Sequence, residues 1–250
     1  MNQLKIVAYC LSFLLAINQV QAQSTSFDCE LTRSYINQNV GQWGGFVTKI
    51  SHEMTVNPSP ELLFTRMLVR HFYIAQLLFN KGSSKAISAQ MAGMNADLDA
   101  LEKIPLYTPH CLAFRATLNS YSALNNPFTA VYYLPKSFSL IKTAVEQSPL
   151  SPYAWAEYGN LEYGYREFLG GNFNDAITYY KKSLALFEQQ KANTPCNWYY
   201  VNTLLFLAKS YEGNKNYKEA NVVYDRMLQL IPTYEAILRW KQNNVQRMTK

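Results

Sequence analysis

Residues 204 to 232, LLFLAKSYEGNKNYKEANVVYDRMLQLIP, constrain this chain more than any other stretch. Leu204, Leu207, Ala208 and Tyr211 recur at helical spacing and share one face. Gly213-Asn214 interrupts the pattern, Ala220, Tyr224, Met227 and Leu228 share a face of a second helix, and Pro232 stops it. Helices joined by so short a turn must lie antiparallel. They approach closely only where small residues, here Ala208 and Ala220, leave room and aromatic knobs such as Tyr211 and Tyr224 fill the space beside them. The offsets predict a helical hairpin that cannot bury its apolar face alone.

A second stretch repeats the pattern. Pro149 ends a helix, and Trp155, Tyr158 and Gly159 then run aromatic, large, small along the next one. In GGNFNDAITYYKKSLALFE, Gly171 and Asn172 make a turn, Phe173 staples it and Asp175 favours the positive end of the helix dipole. Ala176, Tyr180, Ser183 and Leu184 form the packing face. These spacings resemble the tetratricopeptide repeat, in which stacked helix pairs bury a continuous core. Ala176 lies 21 residues after Trp155, longer by more than a helical turn than the family spacing. Either the first helix is long, the favoured reading, or the register begins at Asn160 with Gly164 as the small residue.

The resemblance is strong over 201–234, good over 153–190 and suggestive over 109–149 and 60–104. It implies an all-α fold: an α-solenoid of tetratricopeptide-like helix pairs with a C-terminal capping helix over 235–250, where Ile237, Leu238 and Trp240 alternate with Glu235, Arg239, Lys241 and Asn244. Residues 60–152 read as degenerate repeats and 23–59 as an irregular helical segment. In the latter, Gly41 and Gly44-Gly45 interrupt Cys29 to Met54 into one kinked helix or two short ones. Helices are expected over Glu61 to Phe79, Lys85 to Ile104 with Ser84 as cap, Pro109 to Leu124 and Leu134 to Gln147. Asn125 to Tyr133, NNPFTAVYY, has the turn and β-branched aromatic content of an insertion. The set expected to pack the repeats is Trp155, Gly159, Ala176, Tyr180, Leu204, Ala208, Tyr211, Ala220, Tyr224 and Pro232. The chain as a whole is similar to short exported bacterial tetratricopeptide proteins.

The N-terminus reads as a removable export signal: Lys5, an apolar run from Ile6 to Ile17, then Val20-Gln21-Ala22 with small side chains at the cleavage offsets. That run is too short to cross a hydrocarbon core of roughly 30 Å. Cleavage is expected after Ala22, delivering the chain to a periplasm or the exterior. Cys10 follows Tyr9 inside the run, which argues against lipidation. No later stretch reads as the twenty apolar residues a membrane helix needs, so stable membrane insertion is not expected. Loss of Lys5 with the signal lowers the formal net charge from +6 to +5, and no basic run interleaved with aromatics marks a nucleic-acid surface.

Cys29, Cys111 and Cys196 remain, an odd number, so at most one bridge forms. Cys111 and Cys196 open helices two repeats apart, too far for a bridge. Cys29 with Cys111 stays open, and three small buried side chains is the preferred reading.

Nothing in the sequence spells a catalytic or metal centre. It has no Gly-x-Ser-x-Gly elbow, no His-Glu-x-x-His, no Cys-x-x-Cys and no phosphate loop. His52-Glu53 lacks a second His, His71 reads as a structural histidine, and His110 and Cys111 point about 100° apart. Acidic pairs Glu157 and Glu162, and Asp97 and Asp99, read as solvated helix faces. No cofactor is expected.

The resemblance implies a non-enzymatic scaffold binding a peptide or protein partner on the concave side, which the first helices of each pair line. The residues facing that groove would be Tyr153, Asn160 and Tyr163 in one repeat and Asn202, Leu205, Lys209 and Glu212 in the last, with Lys209 gripping a carboxylate. The alternative is a soluble component of an envelope transport or uptake system.

Overall fold

The computed structural model describes residues 27–164 and 172–249. The export signal and the Gly170-Gly171 turn therefore lie outside the described residues. Eleven α-helices, and no strand, occur among the described residues: α1 Asp28–Ile36, α2 Trp43–Val56, α3 Pro60–Phe79, α4 Ser84–Leu101, α5 Thr108–Asn125, α6 Ala130–Gln147, α7 Pro152–Gly164, α8 Phe173–Gln189, α9 Trp198–Gly213, α10 Tyr217–Leu230 and α11 Glu235–Met248. The molecule is an all-α helical-repeat fold.

Local chemistry sets the boundaries. The hydroxyls of Ser59 and Ser83 accept from Leu62 N and Ala86 N, and the amides of Asn172 and Asn197 accept from Asp175 N and Tyr200 N. Each cap satisfies one of the donors that a helix start leaves orphaned. The cap of α4 is thus Ser83, one residue before the expected Ser84. The N-terminal segment resolves into two helices, with a 3₁₀ turn at Val40–Gln42 between them. The expected insertion is also smaller than the sequence suggests. Only Pro127–Thr129 is a 3₁₀ turn, and α6 already begins at Ala130 with Pro135 inside it. Val131, Tyr132 and Tyr133 are weak helix formers, but that preference is worth at most about 0.7 kcal/mol per residue. Continued backbone hydrogen bonding outweighs it.

Helices α3, α5, α7 and α9 form an inner row in which each touches the next, and α4, α6, α8 and α10 pack outside, the first three each wedged between their own partner and the following inner helix. Helix α11 covers α10. Helix α3 corrects the expectation that no later stretch is apolar enough to span a membrane. A window of 18 of its residues reaches a mean hydropathy of 1.2, although half of that window is buried among neighbouring helices. Such a pattern is what a helix covered on several sides requires.

The seams within pairs are made as the offsets demand. Ala176, Tyr180, Leu204, Ala208, Ala220 and Tyr224 are fully buried. A Cβ on Gly159 would lie 2.6 Å from the Tyr180 ring, whereas one on Gly164 would meet nothing within 4 Å. Gly159 is therefore the small residue of its pair, and the register starts at Trp155. The length of that first helix beyond Gly164 lies outside the described residues. Trp155 and Tyr211 are half-buried, and Pro232 is exposed. Trp155 holds the start of α7 by donating from its indole nitrogen to the Pro149 carbonyl at 2.9 Å.

Candidate functional site at the inner row

The inner helices converge on one carboxylate. Glu157, on α7, is completely buried, which corrects its reading as part of a solvated face. Thr117 of α5 donates to it at 2.5 Å, Asn160 at 3.1 Å, and the Tyr199 hydroxyl of α9 donates to the same group. His71 Nε2 of α3 lies 3.3 Å away. A buried carboxylate persists only when its lone pairs are satisfied, and here donors from α5, α7 and α9 satisfy them, with the His71 ring of α3 beside them.

The second imidazole nitrogen is also held: His71 Nδ1 lies 2.9 Å from the Tyr121 hydroxyl of α5. Burial drives the His71 pKa down, against the opposing pull of Glu157. The Tyr121 hydroxyl also donates to the His71 carbonyl at 3.1 Å, so one phenol ties both the ring and the backbone of His71 to α5. Burial, reinforced by the Glu157 charge, raises the Tyr199 hydroxyl far above its ordinary range, so it remains a donor. This arrangement locks four helices in register and leaves each polar group committed to another.

Beside this centre lies an aromatic layer. Tyr153 contacts Phe64, His110, Phe187 and Tyr199 at centroid distances of 5.0 to 5.2 Å. His110 Nδ1 is 2.7 Å from the Ser151 hydroxyl, and burial pushes its pKa down to about 4.

Helix α1 then closes the row. Leu31 and Tyr35 are buried, and the Tyr35 ring packs on Phe72 of α3 and Trp198 of α9. Its hydroxyl donates to Asn202 Oδ1 of α9 at 2.8 Å. Cys29 is bonded to Cys196, immediately before α9. This corrects the preference for three unpaired cysteines and the choice of Cys111 as the possible mate of Cys29. Sequence order placed Cys29 far from the last repeat, but α1 crosses the inner row and brings it there. Among the described residues Cys111 is the free thiol, buried, with its pKa raised by burial to about 12.

The seven residues expected to line a groove fall in four places. Tyr153 and Asn160 belong to the buried centre, where Asn160 also accepts from the Tyr180 hydroxyl at 2.8 Å. Asn202 is covered by α1. Tyr163 and Leu205 are half-buried, with Tyr163 against Phe173 and Phe206. Lys209 and Glu212 do not face the row: the Lys209 ammonium lies 4.2 Å from the centroid of Trp240 on α11 and 2.9 Å from Glu212. Glu212 accepts from Tyr224 of α10 at 3.0 Å.

Asp97 and Glu162 are likewise buried and correct the solvated reading, whereas Asp99 is exposed as expected. Asp97 is buried and takes Arg66 at 2.5 Å and Arg70 at 3.1 Å, joining α3 to α4. Asp99 with Glu102 grips Arg115, joining α4 to α5. Glu162 is also buried, accepting from Asn172 N at 3.2 Å. No group of three or more metal-ligating side chains occurs among the described residues. The centre escaped sequence reading, though one signal pointed to it: Glu157 stands four residues from Tyr153 and from Leu161, on the inward stripe of α7.

No family model matches the chain, and no curated protein shows significant similarity to it.

Proposed function

We propose that this chain is an exported, non-enzymatic scaffold of tetratricopeptide type that binds an amphipathic segment of a partner protein along its inner row. The observation that carries this reading is the seating of α1. A nine-residue helix buries Leu31 and Tyr35, one turn apart, and its tyrosine packs on Phe72 of α3 and Trp198 of α9 and is fixed by the Asn202 amide. That is helix-in-groove recognition within one chain. Further along α9, Leu205 and Phe206 with Tyr163 of α7 offer a half-buried apolar surface continuous with the place α1 occupies. A partner helix docked there would extend the row that α1 begins.

The test is capture from an envelope extract by the protein and by its Leu205→Glu variant, followed by identification of the bound protein. The half-buried position makes Leu205→Glu cost little stability, about 1 kcal/mol, while a charge in the contact weakens capture at least tenfold. Equal capture by both proteins removes the inner row as the binding face. The second reading, a soluble part of an envelope uptake system, is favoured by the exposed apolar tip described next.

A further inference from the structure

The turns α3–α4 and α5–α6 lie at one end of the array, where Asn125 of α5 donates to Ser88 of α4 at 3.4 Å. This end projects large apolar side chains into solvent: Phe128 is 95 % exposed, Val131 85 % and Phe79 84 %, and Tyr132 and Leu124 are exposed beside them. Isolated exposed apolar residues are ordinary, but a group of five on adjacent turns marks an interaction surface. The charges these two turns carry are of one sign. Lys81, Lys85 and Lys136 are all exposed, and the Lys136 ammonium lies 5.8 Å from the Tyr132 ring centroid. Neither 62–96 nor 103–145 contains an Asp or a Glu.

We propose that this tip docks on an anionic lipid bilayer, with Phe79, Phe128 and Val131 entering the headgroup and acyl boundary and the three lysines meeting lipid phosphates. The shape and the charge select that occupant. Phe128 stands on a convex turn, where a protein partner offers the least enclosure, whereas the anchors of protein interfaces sit in enclosed pockets. A second copy would set the same three lysines against one another, with no carboxylate from these turns to meet them. A lipid interface accepts aromatic and aliphatic side chains at the depth where lysines reach anionic headgroups. This inference is independent of the inner row and of whatever protein binds there.

Sedimentation with vesicles tests it, using the purified protein and vesicles of phosphatidylcholine alone or mixed equally with phosphatidylglycerol. The protein should pellet with the mixed vesicles at low salt and stay in solution with the neutral ones. Phe128→Asp with Val131→Asp should abolish pelleting. Lys81→Glu, Lys85→Glu and Lys136→Glu combined should weaken it by about a hundredfold, since each cation near an anionic surface contributes roughly fivefold. All five positions are exposed, so the variants should keep the parent's circular dichroism and melting, and the N-terminal apolar run is common to all of them. Parent protein that stays in solution with anionic vesicles overturns the proposal. So does pelleting that the Phe128 and Val131 changes leave intact, or a dimer by light scattering that those changes dissolve.

Discussion

The seams between paired helices and the centre where the inner helices meet are packed to the same tightness by opposite chemistry. At a seam, Gly159 lies under the Tyr180 ring and Ala208 and Ala220 are fully buried, with partners a few tens of residues apart at most. At the centre, Glu157 is held by Thr117 from 40 residues before and by Tyr199 from 42 residues after. Seams are apolar and tolerate repetition, so many sequences could make them. The centre is polar, so only one arrangement of four helices satisfies it, and any other leaves a carboxylate or hydroxyl buried without a partner. Small residues let the helices pair, and the polar centre decides how the pairs stack.

The largest expected effect comes from emptying that centre. Glu157→Ala removes the acceptor of the buried Tyr199 hydroxyl, leaves Thr117 only the Ala113 carbonyl and takes a partner from Asn160 and His71, and should cost about 3–5 kcal/mol by chemical denaturation. Glu157→Gln keeps an acceptor and the shape, so it should cost clearly less. If Glu157→Ala lowers stability by under about 1 kcal/mol, the centre does not set the stacking, and the comparison with the seams collapses.

Closure by α1 comes next. Cys29 and Cys196 are 167 residues apart, so their bond removes much freedom from the unfolded chain. Replacing both with Ser should cost about 2–4 kcal/mol. Hydrogen exchange then separates the regions: amides of Leu31 to Tyr35 should lose protection first, while α5 to α8 keep theirs. Uniform loss across all helices would mean that α1 is part of one cooperative core and not a cover laid on the row. Cys111 gives an internal control, because its buried thiol should resist alkylation in the native variant.

At a seam the effect is smaller and two terms compete. Gly159→Ala gains about 1 kcal/mol of helix propensity but sets a methyl against the buried Tyr180 ring, and overpacking of that kind costs about 1–3 kcal/mol. A net loss of about 1 kcal/mol is expected. Gly164→Ala meets open space and should lose nothing. Should both substitutions leave the melting temperature unchanged, the Tyr180 ring has room to move and the seam is looser than its contacts imply.

The seams were legible because their information is local. Ala176, Tyr180, Ala220 and Tyr224 sit at offsets that only a helical hairpin explains, and hairpin partners are near in sequence. The centre was hidden because each member has an ordinary local reading. Glu157 beside Tyr158 reads as solvated, Tyr199 as one aromatic among many, and Thr117 as a helix residue bonding its own backbone, which it also does, to the Ala113 carbonyl at 3.3 Å. Only their meeting gives them a role. The bridge between Cys29 and Cys196 was missed for the same reason, since it depends on where α1 lies and no periodicity states that. The expected groove failed at Lys209 because helical phase on α9 gives a direction without saying which neighbour stands there.

Lys209 supplies the smallest and most discriminating test. A groove lysine in solvent could be removed without changing stability, since such substitutions usually stay within about 0.5 kcal/mol. The structure instead places its ammonium over the Trp240 ring and beside Glu212, with the Tyr224 ring 5.7 Å away. A half-buried cation on an indole face contributes about 0.5–2 kcal/mol, and its stem packs between α9 and the capping helix. Lys209→Ala should therefore cost about 1 kcal/mol. Lys209→Met keeps the stem and loses the charge, so a cost midway between parent and Ala would divide packing from cation–π attraction. Trp240→Leu should make the two Lys209 variants nearly equal, because the ring that distinguishes them is gone. A Lys209→Ala protein that melts with the parent would return this residue to solvent and leave the α11 cap to its other contacts: the rings of Tyr224, Tyr234 and Trp240, the Lys241–Asp225 ion pair and the Asn244–Asn221 hydrogen bond.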